Sequence, residues 1–171
     1  MIPAAFDYKV AESAEQAISL LGEYGDESKL LAGGHSLIPM MKFRLAAPTV
    51  LIDVGRISDL SYVREADGHL AIGAMTKHVE VETSDMVAQH APMLAYVAAL
   101  VGDPSVRHRG TLGGTLAHSD PASDLPAAVL ALGGTIVAQG PNGTRVIAAN
   151  EFFTGYFESV LAADEMITEV R

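Results

Sequence analysis

The first 55 residues alternate between strand-like and helix-like texture within so short a space that few folds accommodate them. From Ser13 the apolar positions Ala14, Ala17, Ile18 and Leu21 recur on one helical face. Ser13 with Gln16 forms a capping box at the start, and Gly25 is placed to end the helix. Lys29 to Ala32 reads as a short buried strand running into Gly33, Gly34, His35 and Ser36. Leu37 to Met41 makes one helical turn despite Pro39, and a second apolar, β-rich run follows from Thr49 to Val54. Strand, helix, strand, glycine turn and strand predict a small α/β unit, because parallel strands need crossover connections.

Past Asp59 the texture changes. Leu60 to Arg64 and His69 to Ala74 read as strands joined across Ala66-Asp67-Gly68, which has hairpin chemistry. Two helices are expected next, the first capped by Thr76 and the second running from Pro92 to Val101 and closed by Gly102. A long glycine-containing loop then spans Asp103 to Asp120, followed by a helix from Ala122 to Leu132 that ends at Gly133-Gly134. Thr135 to Gln139, the turn Gly140-Pro141-Asn142-Gly143, and Thr144 to Ala148 make a second hairpin. The expected class is α+β, with a small α/β lobe over residues 1–57 and a lobe with an antiparallel sheet over 58–171. No repeat or low-complexity linker interrupts it.

With 171 residues, 49% of them hydrophobic, the chain buries one or two ordinary cores. Its most apolar stretch, Ala91 to Val101, is about half of the roughly 20 residues a membrane-spanning helix needs, and no basic segment leads into an apolar one at the N-terminus. The sequence therefore reads as cytoplasmic. A formal net charge of -10 repels nucleic acid. Small basic groups, Lys42 with Arg44 and Arg107 with His108 and Arg109, are either solvated surface or contacts to a small anion or partner. The chain has no cysteine, which removes disulfides, thiolate nucleophiles, cysteine-ligated zinc and any iron–sulfur cluster of its own.

The familiar nucleotide motifs fail on spacing: there is no Gly-Lys-Ser/Thr, and neither glycine pair fits G-x-G-x-x-G. Ala32-Gly33-Gly34-His35-Ser36 and Gly110-Thr111-Leu112-Gly113-Gly114-Thr115 remain. Glycine lets a backbone approach a ligand and take positive φ, so its N–H groups converge on a phosphate while Ser and Thr add hydroxyl donors. Read singly, either pair is better explained as an ordinary turn; two of them, flanked by hydroxyls, bring the two readings level. Asp120 and Asp124 lie where a helix begins, which suits capping or a hydrogen bond to a ribose better than acid–base chemistry. The six histidines show no metal spacing, and no Ser–His–Asp order stands out.

Leu30 to Leu37, with Thr111-Leu112-Gly113-Gly114-Thr115-Leu116-Ala117 and Pro121-Ala122-Ser123-Asp124, resembles the signature of the FAD-binding medium subunit of molybdenum hydroxylases, the family of aerobic carbon monoxide dehydrogenase and xanthine dehydrogenase. The resemblance extends over essentially the whole chain. It implies a vanillyl-alcohol-oxidase (PCMH-type) fold with FAD lying between two lobes. Leu31, Ala32, Gly33, Gly34, His35, Ser36 and Leu37 would wrap the pyrophosphate, and Thr111, Gly113, Gly114 and Thr115 would hold it from the other side. Asp124 would bond the ribityl or ribose region, and Leu161 would pack near the flavin or adenine. Thr115 stands where many relatives have Asn. A further C-terminal domain that helps cover the cofactor is expected in the family and is not among these residues.

The same resemblance implies an oxidoreductase component without a catalytic side chain or a metal of its own. Substrate is hydroxylated at a molybdopterin centre in a large subunit, electrons cross [2Fe-2S] clusters in a small subunit, and FAD delivers them to an external acceptor. Two other readings compete with it: a cofactor-free assembly module of the same complex, and a stand-alone flavin oxidase, for which no substrate base is found. Substrate (carbon monoxide, a purine, an N-heterocycle or an aldehyde) and final acceptor are not encoded legibly in this chain.

Overall fold

A computed structural model describes residues 2–171. The chain opens with strand β1 (Asp7–Val10), helix α1 (Ala14–Tyr24), β2 (Ser28–Leu31), α2 (Leu37–Lys42) and β3 (Val50–Asp53). The strands form a parallel sheet in the order β1-β3-β2, with Tyr8 and Lys29 both opposite Leu51. The expected α/β unit is therefore present, with α1 as the first crossover. Helix α1 buries Ala14, Ala17, Ile18 and Leu21, as their period predicts. Ser13 Oγ accepts from the Gln16 N–H at 3.2 Å, but the Gln16 side chain accepts from Glu12 rather than from Ser13, so the box reaches one residue further back.

The rest of the chain contains β4 (Val63–Ala66), β5 (His69–Gly73), α3 (His78–Thr83), α4 (Asp85–His90), α5 (Pro92–Leu100), α6 (Pro104–Arg107), α7 (Leu112–His118) and α8 (Asp124–Ala131). It ends with β6 (Thr135–Gly140), β7 (Gly143–Ala148), α9 (Ala149–Phe152), β8 (Phe153–Gly155), β9 (Glu158–Ser159) and β10 (Met166–Val170). Five of these strands form an antiparallel sheet in the order β4-β5-β10-β6-β7. Both predicted hairpins are present; Asp67 and Gly68 turn the first at φ 48° and 79°.

Several expectations fail here. Two helices were expected between the hairpin and Gly102, and there are three, because Ser84 breaks the first and caps α4 by accepting from Val87 N–H. Thr76 caps nothing. It is buried, and its hydroxyl accepts from Tyr62 N–H at 3.0 Å and donates to Tyr62 O at 2.9 Å, tying the entry of β4 to the exit of β5. The expected loop from Asp103 to Asp120 contains α6 and α7. Strand β10 was not foreseen, although it is the centre of its sheet.

Two cores follow the two sheets. The first gathers Ala17, Ile18, Leu21, Val50 and Ile52, and takes in Leu60 and Met166 from the later part of the chain. The second includes Leu112, Leu116, Leu125, Ile136, Phe152 and Ile167. Neighbouring side chains on a strand point to opposite faces, so β10 delivers Met166 to the first core and Ile167 to the second. Among the described residues no helix is long and apolar enough to cross a membrane.

Candidate functional site between the glycine segments

The loop from β2 to α2 leaves the carboxyl end of the parallel sheet, the edge at which open α/β sheets place ligands. Gly34 takes φ 75°, the left-handed conformation that favours glycine. Among the described residues, no acceptor takes a backbone N–H from Ala32 through Leu37; the next N–H, of Ile38, donates to Gly34 O at 3.0 Å. Backbone donors are ordinarily paired, so a run of unpaired N–H groups at a half-exposed, positive-φ turn is a place for an anion.

The second glycine segment packs directly on the first. A Cβ on Gly33 would lie 2.1 Å from Arg109 O and 2.9 Å from Gly110 Cα, so only glycine fits at this crossing. A Cβ on Gly114 would come 3.6 Å from the Ala32 methyl, ordinary contact across the same junction. The two motifs, read separately in the sequence, therefore meet backbone to backbone.

Their roles differ. Gly113, Gly114 and Thr115 occupy the first turn of α7, capped by Thr111, whose Oγ1 accepts from Gly114 N–H at 3.2 Å. Leu112 N–H donates to Thr76 O at 3.0 Å and Gly113 N–H to Ala74 O at 2.9 Å. The donors expected from the second pair are thus engaged inside the protein. Gly113 is required for packing, since a Cβ there would sit 2.6 Å from the Ala74 methyl. What this turn leaves available is the half-buried Thr115 side chain and the bare surface of Gly114.

Beneath the junction lies His78, which sequence reasoning missed. Its N–H donates to Gly110 O, its ring fills the space where a Gly110 Cβ would stand, and its Nε2 is 3.2 Å from Thr115 Oγ1. Its Nδ1 is buried without a partner. Burial pushes the imidazole down to about 4, and His35 in the first loop pushes in the same direction, so the ring is neutral near pH 7. A lone histidine after Lys77 carries no periodic or spacing signal by which it could have been found.

The remaining candidates stand apart from this junction. Asp124 is exposed at the first position of α8 without a hydrogen bond, and the capping expected there is not made: α8 starts after Ser123 with no side-chain cap, while Asp120 accepts from Ala122 N–H at 2.9 Å in the turn before the helix. Ser119, at φ 52°, accepts from Phe157 N–H, and His118 packs its ring against Phe157 at 5.2 Å. Beside them a cleft of about 410 Å³ is walled by Asp120, Pro121, Phe153, Thr154 and Tyr156. Leu161 is half-buried against the second core. Of the basic group, Arg107 is tied to Glu82 at 2.8 Å and to Val101 O, and serves structure. No group of His, Asp and Glu among the described residues could hold a metal ion.

Residues 4–171 match the family described as the FAD binding domain in molybdopterin dehydrogenase. The chain belongs to this family. Over 171 residues, this FAD-binding domain is 45% identical to the carbon monoxide dehydrogenase medium chain of Hydrogenophaga pseudoflava, covering all of itself and 60% of that protein. It is 42% identical to the 6-hydroxypseudooxynicotine dehydrogenase complex subunit alpha of Paenarthrobacter nicotinovorans, covering all of itself and 58% of that protein. A solved structure of the Hydrogenophaga pseudoflava carbon monoxide dehydrogenase matches with a TM-score of 0.98 at 45% identity, over 99% of this chain and 59% of that one. The domain therefore spans 58 to 60% of the length of these relatives.

Proposed function

We propose that this domain holds the pyrophosphate of FAD at the junction of the Ala32–Leu37 loop and the first turn of α7, in a two-lobed fold of the vanillyl-alcohol-oxidase type. The observation that carries this reading is the unpaired N–H run from Ala32 through Leu37, closed over by the Gly33 crossing. A pyrophosphate needs several donors on a closely approachable backbone, and this donor set fits it. Leu31 to Leu37 would embrace the phosphates. Thr115 would add a hydroxyl, Gly114 a surface without a side chain, and Thr111 and Gly113 the frame that fixes both. Asp124, exposed and unpartnered, would accept from a ribose or ribityl hydroxyl, and Leu161 would contact a ring of the cofactor. The lobes would divide at residues 57 and 58, with Leu60 and Met166 reaching back across that division.

In the whole protein, FAD supplies the redox chemistry, and the residues here bind and orient it. The reading extends to an oxidoreductase component: the FAD subunit of a molybdenum hydroxylase, which receives electrons from iron–sulfur clusters in a small partner and passes them to an external acceptor, with molybdopterin in a large partner. The lack of cysteine in this chain fits that division of labour. Similar identity to relatives named for carbon monoxide and for 6-hydroxypseudooxynicotine supports substrate selection in another subunit.

Gly34→Val tests this reading, because a Cβ there meets only side-chain atoms, of Ile38 at 3.1 Å and Leu31 at 3.2 Å, while φ 75° becomes strained. Full-length protein incubated with FAD is expected to show flavin absorption bands, and the variant to stay folded and bind at least about tenfold more weakly. A full-length protein that stays colourless, or a variant with undiminished affinity, would sink the assignment.

A further inference from the structure

The proposed site contains Thr115, yet a threonine hydroxyl serves a phosphate only if its proton points at it. Thr115 Oγ1 has a single partner among the described residues, His78 Nε2 at 3.2 Å. A neutral imidazole carries one N–H and one lone pair, so the proton on His78 sits either on Nε2 or on Nδ1. Nδ1 is buried and faces no acceptor or donor. A proton there would leave a buried N–H unpaired, the costlier of the two defects, and would draw the Thr115 proton inward to Nε2. A proton on Nε2 leaves only a bare lone pair at Nδ1 and donates to Thr115 Oγ1. The hydroxyl has then accepted from inside and keeps its own hydrogen to give outward.

We propose that His78, as the Nε2–H tautomer, is a positioning residue that turns the Thr115 hydroxyl into a donor toward the cofactor's phosphates. It does so without touching FAD. The ring is held in place by its backbone N–H to Gly110 O and by the close fit of Gly110 over Nε2 and Cδ2, where a Cβ would lie at 2.6 Å. Those contacts place the ring, and the hydrogen bond to Thr115 gives a reason for a histidine buried to 2% exposure where an apolar residue would fill the same space at lower desolvation cost. The inference rests on the proposed FAD site and assigns a direction to one of its donors.

A double-mutant cycle on FAD affinity in the full-length protein tests it, with Thr115→Val, His78→Leu and His78→Gln as the variants. Thr115→Val and His78→Leu are each expected to weaken binding about tenfold, and the double variant no further than either alone. His78→Gln, whose amide also donates, is expected to keep most of the affinity. In the unsubstituted protein, nitrogen-15 spectra of labelled histidine should show the ring hydrogen on Nε2, whatever the variants do. Additive losses, a proton on Nδ1, or full affinity in His78→Leu beside a weakened Thr115→Val overturns the role of His78 alone. Unchanged affinity in Thr115→Val overturns it together with the place of Thr115 in the site.

Discussion

At the scale of single residues, His78 also makes stability depend on pH. Its folded value is depressed from 6.5 to about 4, so the unfolded chain binds the proton more readily between those limits. The stabilising difference is present above pH 6.5 and is lost as pH falls toward 4, in total about 3 kcal/mol. Glu169 is a second depressed group. Burial alone would raise it, but hydrogen bonds from Tyr62, Arg171 and Arg64 outweigh burial, so its contribution is lost only below the ordinary glutamate range. The two windows separate: denaturant midpoints should fall from pH 7 to pH 5 in the unsubstituted protein and much less in His78→Gln. Thr76→Val removes both hydrogen bonds between Thr76 and Tyr62, leaving the Tyr62 N–H unpaired while Gly73 N–H still serves the Tyr62 carbonyl, and should cost about 2 kcal/mol in the same assay. Neither residue's role was legible beforehand. A threonine before a helix looks like a cap whether or not its hydroxyl is turned back onto a strand.

At the scale of elements, α7 shows why the second glycine pair read as a loop. It has seven residues, two of them glycines that each lower helix propensity by about 1 kcal/mol. Tertiary contacts hold it: the Thr111 cap, the Gly113 N–H on Ala74 O, and Leu112 and Leu116 in the second core. Gly113→Ala sets these scales against each other. The propensity gain is about 1 kcal/mol, whereas forcing a methyl to 2.6 Å from Ala74 typically costs 1–3 kcal/mol, roughly, in overpacking. The variant should therefore melt lower than the parent; a higher melting temperature would mean that α7 is free to shift. Strand β10 was missed for a related reason. Its Glu169 reads as surface, but it is buried against Tyr62 and Arg171, and all five residues of Met166–Val170 are inside. By contrast α1, both hairpins and the strands β2 and β3 were legible, because their signals are local: period, caps and turn residues. The two glycine segments were found by their residue types. That they touch, and that only the first keeps its N–H groups free, depends on residues far apart in sequence.

At the scale of the whole molecule, the two sheets are joined by β10, whose neighbouring side chains lie in different cores. Met166→Ala removes a buried side chain from the first core and should cost about 3 kcal/mol. Because β10 also pairs with β5 and β6, hydrogen-exchange protection should drop in both sheets together; loss confined to the first would show that they open independently. The position of β10 in the chain has a further effect during synthesis. A ribosome delivers β5 and β6 long before the strand that belongs between them, so the nascent antiparallel sheet waits with its middle vacant and two apolar edges unprotected. The parallel sheet, complete by Asp53, has no such wait, although Met166 reaches its core only at the end. Slow translation or a stall upstream of Met166 therefore exposes those edges to aggregation, and chaperone dependence should be greatest for nascent chains halted before that residue.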